Sequence, residues 1–351
     1  MKSFVYDKLP GRIVFGAGTR HRLPDEAARL GLERVAIVAD AAAKETAEEL
    51  AEGLAARCAG ILTDVAQHVP EDVAASARHS VRALGADAVV TIGGGSATGL
   101  GKAVVVEAGL PLLAVPTTFS GSEMTTIYGI TGTLKVTRRD PSVLPKVVFY
   151  DPELTLTLPP ALIGASGMNA LAHCVEAFYG PASNPIIDLM AEEGIRCLAR
   201  ALPVNYDRPD LDGHGDALYG ACLAGAALAV AGTGIHHKLC HVLGGMFRLP
   251  HAPLHSIMLP HVVAFLEPTM PDVMARIAAA LGAPGRPAGE ALFALAAKIG
   301  VPTSLADLGM PEDGLEPGAD QAVAELREGG AGFDRDAVLA LLRAAYAGRQ
   351  L

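Results

Sequence analysis

Short β-branched runs alternate with alanine-rich stretches through roughly the first 150 residues, and this alternation limits the fold more than any other feature. RVAIVAD (34–40) reads as a buried strand, followed by a helix over 42–57. AGILTDV (59–65) is a second strand and 71–84 a second helix. DAVVTIGGGS (87–96) carries a third strand into a glycine turn, with a helix over 98–106. PLLAVPTT (111–118) is a fourth strand, and KVVFYDP (146–152) closes the series before Pro159-Pro160. Strands and helices alternating at this period form βαβ units, whose parallel sheet is covered on both faces. Beyond 160 β-branched runs are scarce and helical periodicity dominates, at 186–202, 216–230, 271–281 and 289–299. Asp334 is placed to cap a last helix over 336–346. The expectation is an α/β domain over 1–155, Rossmann-like with a parallel sheet, then an all-α domain over 156–351.

Composition narrows the class. Of 351 residues, 50% are hydrophobic and 19% charged, enough apolar matter for two cores. A net charge of -10 without a Lys/Arg run argues against a nucleic-acid partner. Five cysteines without CxxC spacing fit free thiols in a reducing cytoplasm. The opening MKSFVYDKLPGR has no apolar core of the signal-peptide kind. Residues 217–235 carry no charge, but they are mostly Ala and Gly. A close-packed buried helix is therefore expected there, not a membrane span.

Two regions carry chemistry. GIHHKLCHVLGGMFRLPHAPLHSIMLPH (234–261) holds six of the eleven histidines. His237 and His241 are one helical turn apart, so they share a face. His251 follows beyond Gly244-Gly245 and Pro250, read as a helix-breaking loop able to fold back towards that face. Upstream, Asn169 and His173 are also four apart. Imidazole binds metals and moves protons near neutral pH. Any single histidine has a capping or core reading beside the functional one; the cluster reads as a site.

The second region is the turn Gly93-Gly94-Gly95-Ser96 between strand and helix. Glycines allow close backbone approach, and a helix N-terminus attracts phosphate. It is neither a Walker A loop nor GxGxxG, since Ala103 and Thr98 occupy the deciding positions. The loop PTTFSGSEMT (116–125) leaves the next strand at the same sheet edge, and the pair favours a nucleotide. Asp40 ends the first strong strand, where a carboxylate suits a ribose and repels a 2′-phosphate; a helix N-cap is its other reading.

Together GGGSATGLGK, PTTFSGSEMT, VVFYDPELTLTLP, GMNALAHCVEAFY and HHKLCHVLGGMFRLPH resemble the iron-containing alcohol dehydrogenase family in order and spacing. The resemblance runs essentially end to end. It implies a nucleotide-binding α/β domain, a helical domain, a catalytic cleft between them and a homodimer. SATGLGKA, GSEMT, GMNALAH and HHKLCH are similar to the branch that reduces maleylacetate. That similarity implies reduction of the C=C bond of 2-maleylacetate, a small dicarboxylate, to 3-oxoadipate in aromatic-compound degradation. The hydride would come from NADH, with NADPH the alternative. By position, the resemblance assigns Gly94, Gly95 and Ser96 to the cofactor pyrophosphate. Thr117, Thr118 and Ser122 go to the nicotinamide side and Asp40 to the adenosine ribose. The family's metal tetrad falls on Asn169, His173, His237 and His251, while His241 falls near nicotinamide and substrate. Gly99 stands where the family keeps an acidic residue.

Asn169 replaces a carboxylate, and a neutral amide does little to offset a cation's charge. The expectation is therefore a site without metal, although three histidines alone can hold zinc. The chemistry allows it: hydride added to the alkene carbon distal to the ketone spreads charge into an enolate. Imidazole donors can stabilise that oxyanion and return a proton to carbon. The expected catalytic set is His241, His251, His237, His173, Asn169 and Lys238. Lys238, Arg248, His236 and His255 are candidates to pair with the substrate carboxylates; for Lys238 and Arg248, surface solvation is the other reading. The rival functions are a metal-dependent alcohol or polyol dehydrogenase, a dehydroquinate-synthase-like lyase and an inactive nucleotide-binding protein.

Overall fold

Residues 4, 6, 9, 11–132, 135–328 and 332–349 are described by a computed structural model. The opening segment 1–10, where no signal peptide is expected, lies mostly outside them. The chain divides into two compact units, Asp7–Leu158 and, with the first few residues, Pro159–Leu351.

The strands of the first unit are β1 (Arg12–Phe15), β2 (Val35–Ala39), β3 (Cys58–Leu62), β4 (Ala88–Gly93), β5 (Leu112–Pro116), β6 (Ile127–Thr131), β7 (Lys135–Arg139) and β8 (Val147–Tyr150). Six form one parallel sheet in the order β1-β8-β5-β4-β2-β3, as βαβ alternation requires. Helices α1 (Leu23–Arg29), α2 (Lys44–Leu54), α3 (Glu71–Ala83) and α4 (Gly95–Ala108) complete the unit. Successive residues of β2 face opposite ways, so the sheet sits between two cores. Val35, Ile37 and Ala39 pack with Leu23, Leu50 and Leu54, while Ala36 and Val38 pack with Ala77, Val81 and Val104. The edge strand β1 and the antiparallel pair β6–β7 were not expected from the sequence.

The second unit is helical: α5 (Pro160–Ala177), α6 (Pro185–Asp207), α7 (Leu211–Ala231), α8 (Ile235–Phe247), α9 (His251–Leu266), α10 (Pro271–Ala280), α11 (Ala288–Lys298), α12 (Leu315–Glu328) and α13 (Arg335–Ala347). Side-chain caps fix several starts. Asn184 accepts from Ile186 and Ile187, Asp210 from Gly213, and Asp334 from Ala337. The uncharged stretch 217–235 forms most of α7, and its glycines let α6 approach. A Cβ on Gly220 would lie 2.8 Å from Leu198 Cγ. No single helix among the described residues is long and apolar enough to cross a membrane. Only α7 and α8 taken together pass on length and composition, and they meet at a 94° bend.

Candidate active site

In the α/β unit, β4 delivers the chain to α4 through Gly93, whose φ of 140° is costly for any residue with a Cβ. A Cβ there would also collide with Asp40 Oδ2 and lie 2.9 Å from Ala97 Cβ. Gly101 packs α4 onto β4, leaving no room for a side chain beside Thr91. Gly94 is the N-cap of α4, and a Cβ on it would lie 3.1 Å from Thr118 Cγ2. The amides of Gly95, Ser96 and Ala97 belong to the first helical turn, which has no intrahelical acceptors for them. The Gly94 N–H is different: it donates to Asp40 Oδ2 at 3.2 Å, while Oδ1 accepts from Ala43 at 3.0 Å. Asp40 thus caps a short 3-10 helix and braces the glycine turn. Gly99 meets Val69 Cγ2 at 3.0 Å from an added Cβ, so a longer side chain would press on that residue.

The 116–125 loop is held from below by a buried network that sequence reading missed. Lys102 Nζ directs its three N–H bonds at four oxygens: Ser122 O (2.6 Å), Thr125 O (2.6 Å), Ile127 O (2.8 Å) and Thr125 Oγ1 (3.0 Å). Glu123 accepts from Tyr150 OH at 2.9 Å and from Ser120 Oγ at 3.3 Å. Burial lowers the Lys102 ammonium to about 7, against the opposing pull of Glu123. It also raises the carboxyl of Glu123. The signal was a lysine set directly before the apolar run AVVV (103–106) of α4. Thr117 is tied to the turn through its N–H to Gly93 O at 3.1 Å, and the side chains of Thr117, Thr118 and Ser122 stay partly exposed.

In the helical unit, α8 does not break at Gly244-Gly245 as expected; it continues to Phe247. The turn comes at Arg248, a non-glycine residue at φ 54°, and α9 begins at His251. Two glycines cost helix stability, but Leu239, Cys240, Val242 and Leu243 are buried, and that packing outweighs propensity. The outcome is two helices that bring their imidazoles together. His237 lies 5.0 Å from His173 on α5, stacked, and 6.0 Å from His241, ring centre to ring centre. His255, given only a minor role in the sequence reading, is the hub: its ring lies 4.0 Å from His251, 4.6 Å from His237, 4.9 Å from His236 and 6.4 Å from His241.

The cluster has a buried floor and an exposed rim. Asn169, His173, His236, His237 and His255 are buried, whereas His241, His251 and Arg248 are exposed and Lys238 is half-buried. Burial lowers the pKa of His236 to about 4 and of His237 to about 3, and drives His173 and His255 well below the usual range. These imidazoles are neutral at pH 7 and offer lone pairs. Glu176, which sequence reading did not single out, meets His237 Nδ1 with one oxygen.

Residues 10–152 match the family described as "Iron-containing alcohol dehydrogenase", and residues 163–346 match "Fe-containing alcohol dehydrogenase family, C-terminal". The chain belongs to the iron-containing alcohol dehydrogenase family. Maleylacetate reductase of Burkholderia cepacia is 47% identical over 350 residues, covering 99% of each chain. The crystal structure of maleylacetate reductase from Agrobacterium tumefaciens superposes with TM-score 0.96 at 44% identity over the full length of both chains. A 1,3-propanediol oxidoreductase is more distant: 28% identity and TM-score 0.89, over 97% of this chain and all of the other.

Membership in an iron-containing family overturns the expectation of a site without metal. That expectation counted only the four tetrad positions, where Asn169 is a weak donor. The fold adds His236 and His255, so one nitrogen from each of His236, His237 and His255 lies within 4.8 Å of the other two. Asn169 Oδ1, His173 Nδ1, His236 Nδ1 and both nitrogens of His255 have no hydrogen-bond partner among the described residues. Neutral, converging, unpartnered nitrogen donors fit a divalent transition metal.

Proposed function

We propose that this oxidoreductase reduces the carbon–carbon double bond of 2-maleylacetate, giving 3-oxoadipate. The observation that carries the reading is the end-to-end similarity, at 47% identity, to the maleylacetate reductase of Burkholderia cepacia. In this reading the α/β unit holds the dinucleotide. Gly95 and Ser96 offer the amides of the first turn of α4 to the pyrophosphate, and Gly94 admits the backbone closely beside Thr118. Thr117, Thr118 and Ser122 line the nicotinamide side. Asp40 faces the ribose with a carboxylate that disfavours a 2′-phosphate, so NADH is preferred over NADPH. When bound, NADH supplies the hydride.

The helical unit supplies the substrate-side groups. His236, His237 and His255 would hold a divalent metal, with Asn169 and His173 beside them. That metal would polarise a substrate oxygen as a Lewis acid. His241 and His251, exposed at the rim, would hydrogen-bond the developing enolate and return a proton to carbon from a ring nitrogen. Lys238 and Arg248 offer positive charge to the two carboxylates. The reading also includes a homodimer and a reducing, cytoplasmic setting, which the free thiols of Cys58, Cys174, Cys197, Cys222 and Cys240 suit.

The test is the loss of NADH absorbance by purified, metal-analysed protein. Maleylacetate is offered beside simple ketones, aldehydes and diols, and the assay is repeated with NADPH. Maleylacetate should be turned over fastest, and faster with NADH. Turnover of alcohols or aldehydes without turnover of maleylacetate would refute the reading.

A further inference from the structure

The N-cap of helix α8 is Gly234, which has no side chain with which to cap it. The cap comes from another helix. Glu176, near the carboxyl end of α5 and 1% exposed, accepts with Oε1 from the N–H of Gly234 at 3.0 Å and of His237 at 3.2 Å. Its other oxygen, Oε2, meets the ring Nδ1 of His237. The two oxygens therefore have different partners: one serves the backbone and the other the imidazole. A carboxylate only accepts hydrogen bonds, and a neutral imidazole has one N–H. If Nδ1 carries that hydrogen, Nε2 is left with a bare lone pair. His236 shows the same logic: its Nε2 lies 3.0 Å from the carbonyl oxygen of His255, which can only accept, so its Nδ1 is the bare nitrogen.

We propose that Glu176 is the positioning residue that fixes His237 as the Nδ1–H tautomer and commits its Nε2 lone pair to the family's metal. Partners of this kind orient a ligating imidazole and raise its basicity, and their loss typically costs about 10- to 100-fold in metal affinity. The proposal rests on the histidine cluster being the metal-holding part of the site, whatever the substrate.

Glu176→Gln separates this role from capping alone. The glutamine keeps its carbonyl oxygen on the two backbone donors, because turning the amide would set N–H against N–H twice. Its NH2 then faces Nδ1, which must accept, and the ring proton moves to Nε2. A residue that merely caps α8 would tolerate this change.

The experiment uses the full chain labelled with 15N-histidine and free of metal, its His237 signal assigned with His237→Asn. Long-range 1H–15N spectra should show the proton on Nδ1 in the wild type and on Nε2 in Glu176→Gln. Chelator competition with Co2+ should show about 10- to 100-fold weaker binding by the variant. Its thermal midpoint should stay within about 4 °C of the wild type, the shift expected from about 1 kcal/mol. A wild-type His237 carrying its proton on Nε2 overturns the proposal, and that spectrum decides even if the variant does not fold. An unmoved tautomer, undiminished Co2+ affinity in the variant, or no Co2+ binding by the wild type overturns it as well. None of these readouts uses maleylacetate, so their failure is distinct from failure of the substrate assignment.

Discussion

Each unit buries a cluster of polar side chains in an apolar interior, and the two clusters are treated in opposite ways. In the α/β unit the Lys102 ammonium has four oxygens within 3.0 Å, and Glu123 is met by Tyr150 and Ser120. In the helical unit Asn169, His173, His236 and His255 keep buried polar atoms without a hydrogen-bond partner among the described residues. An unsatisfied buried polar group costs about 1–3 kcal/mol, so several in one cluster weigh heavily against total stability. The contrast separates scaffold from site. A network whose members satisfy one another shapes the loop above it, whereas one that leaves its lone pairs converging is built for something that is not protein.

The largest expected effect tests the scaffold half. Lys102→Met keeps the length of the side chain but leaves three carbonyls and a hydroxyl without their donor. By analogy with breaking a buried pair, it should cost about 3–5 kcal/mol, read from denaturant unfolding of the full chain. A loss below about 1 kcal/mol would mean that water or a shifted loop replaces the lysine, and the contrast would weaken. The site half should respond in turnover instead. His241→Ala and His251→Ala should each lower kcat by at least about 100-fold. Because both side chains are exposed, stability should change by no more than about 1 kcal/mol. Near-normal turnover in both variants would remove them from the catalytic set.

The same contrast explains what the sequence disclosed. Strands β2, β4 and β5 are buried on every residue, so they read as unbroken apolar runs. The cap Asp334 acts within its own first helical turn, and a short-range signal of that kind is legible. Strand β1 has four residues, three of them exposed, and it is set by pairing with β8 more than a hundred residues away. The charged run of β7, KVTRR, is a strand only because β6 pairs with it. His237 and His241 were found because one helical turn links them. His255 as hub needs the turn at Arg248, which lies within the loop expected across Gly244-Gly245 and Pro250 but after its glycines, which stay helical. Glu176 lies on a different helix, some sixty residues before the histidine whose ring it meets.

A smaller effect sharpens the comparison through pH. In the helical unit, the folded pKa values of His236 (about 4), His237 (about 3) and His261 (about 4) lie below the unfolded value of 6.5. The unfolded chain therefore takes up protons first. The histidines' contribution to stability is complete above pH 6.5 and falls as pH drops towards 4, by up to ~1.4 kcal/mol per pH unit for each. Lys102 acts in the other unit and in another window. With a folded pKa of about 7 against 10.5 unfolded, its contribution to stability grows as pH rises from 7 towards 10.5. Unfolding of the metal-free chain, followed across both windows, should give two separate slopes. Lys102→Met should abolish the upper one only, and loss of both slopes together would show that the two networks are not independent.

The smallest expected effect concerns Asn169, where the family resemblance implies a carboxylate. Its Oδ1 is buried and unpartnered, so Asn169→Asp changes little in shape and adds a charge in a desolvated place. Without metal that charge is a burden, and the thermal midpoint should fall by a few degrees, as about 1 kcal/mol of lost stability requires. With a divalent metal the same charge offsets the cation, and Co2+ affinity should rise by at least about 10-fold in chelator competition. The opposite signs are the point of the variant. A scaffold residue would lose stability under both conditions, whereas a residue facing the metal should exchange apo stability for affinity. If Asn169→Asp weakens the protein equally with and without Co2+, then Asn169 belongs with Lys102 as scaffold, and the metal is held by His236, His237 and His255 alone.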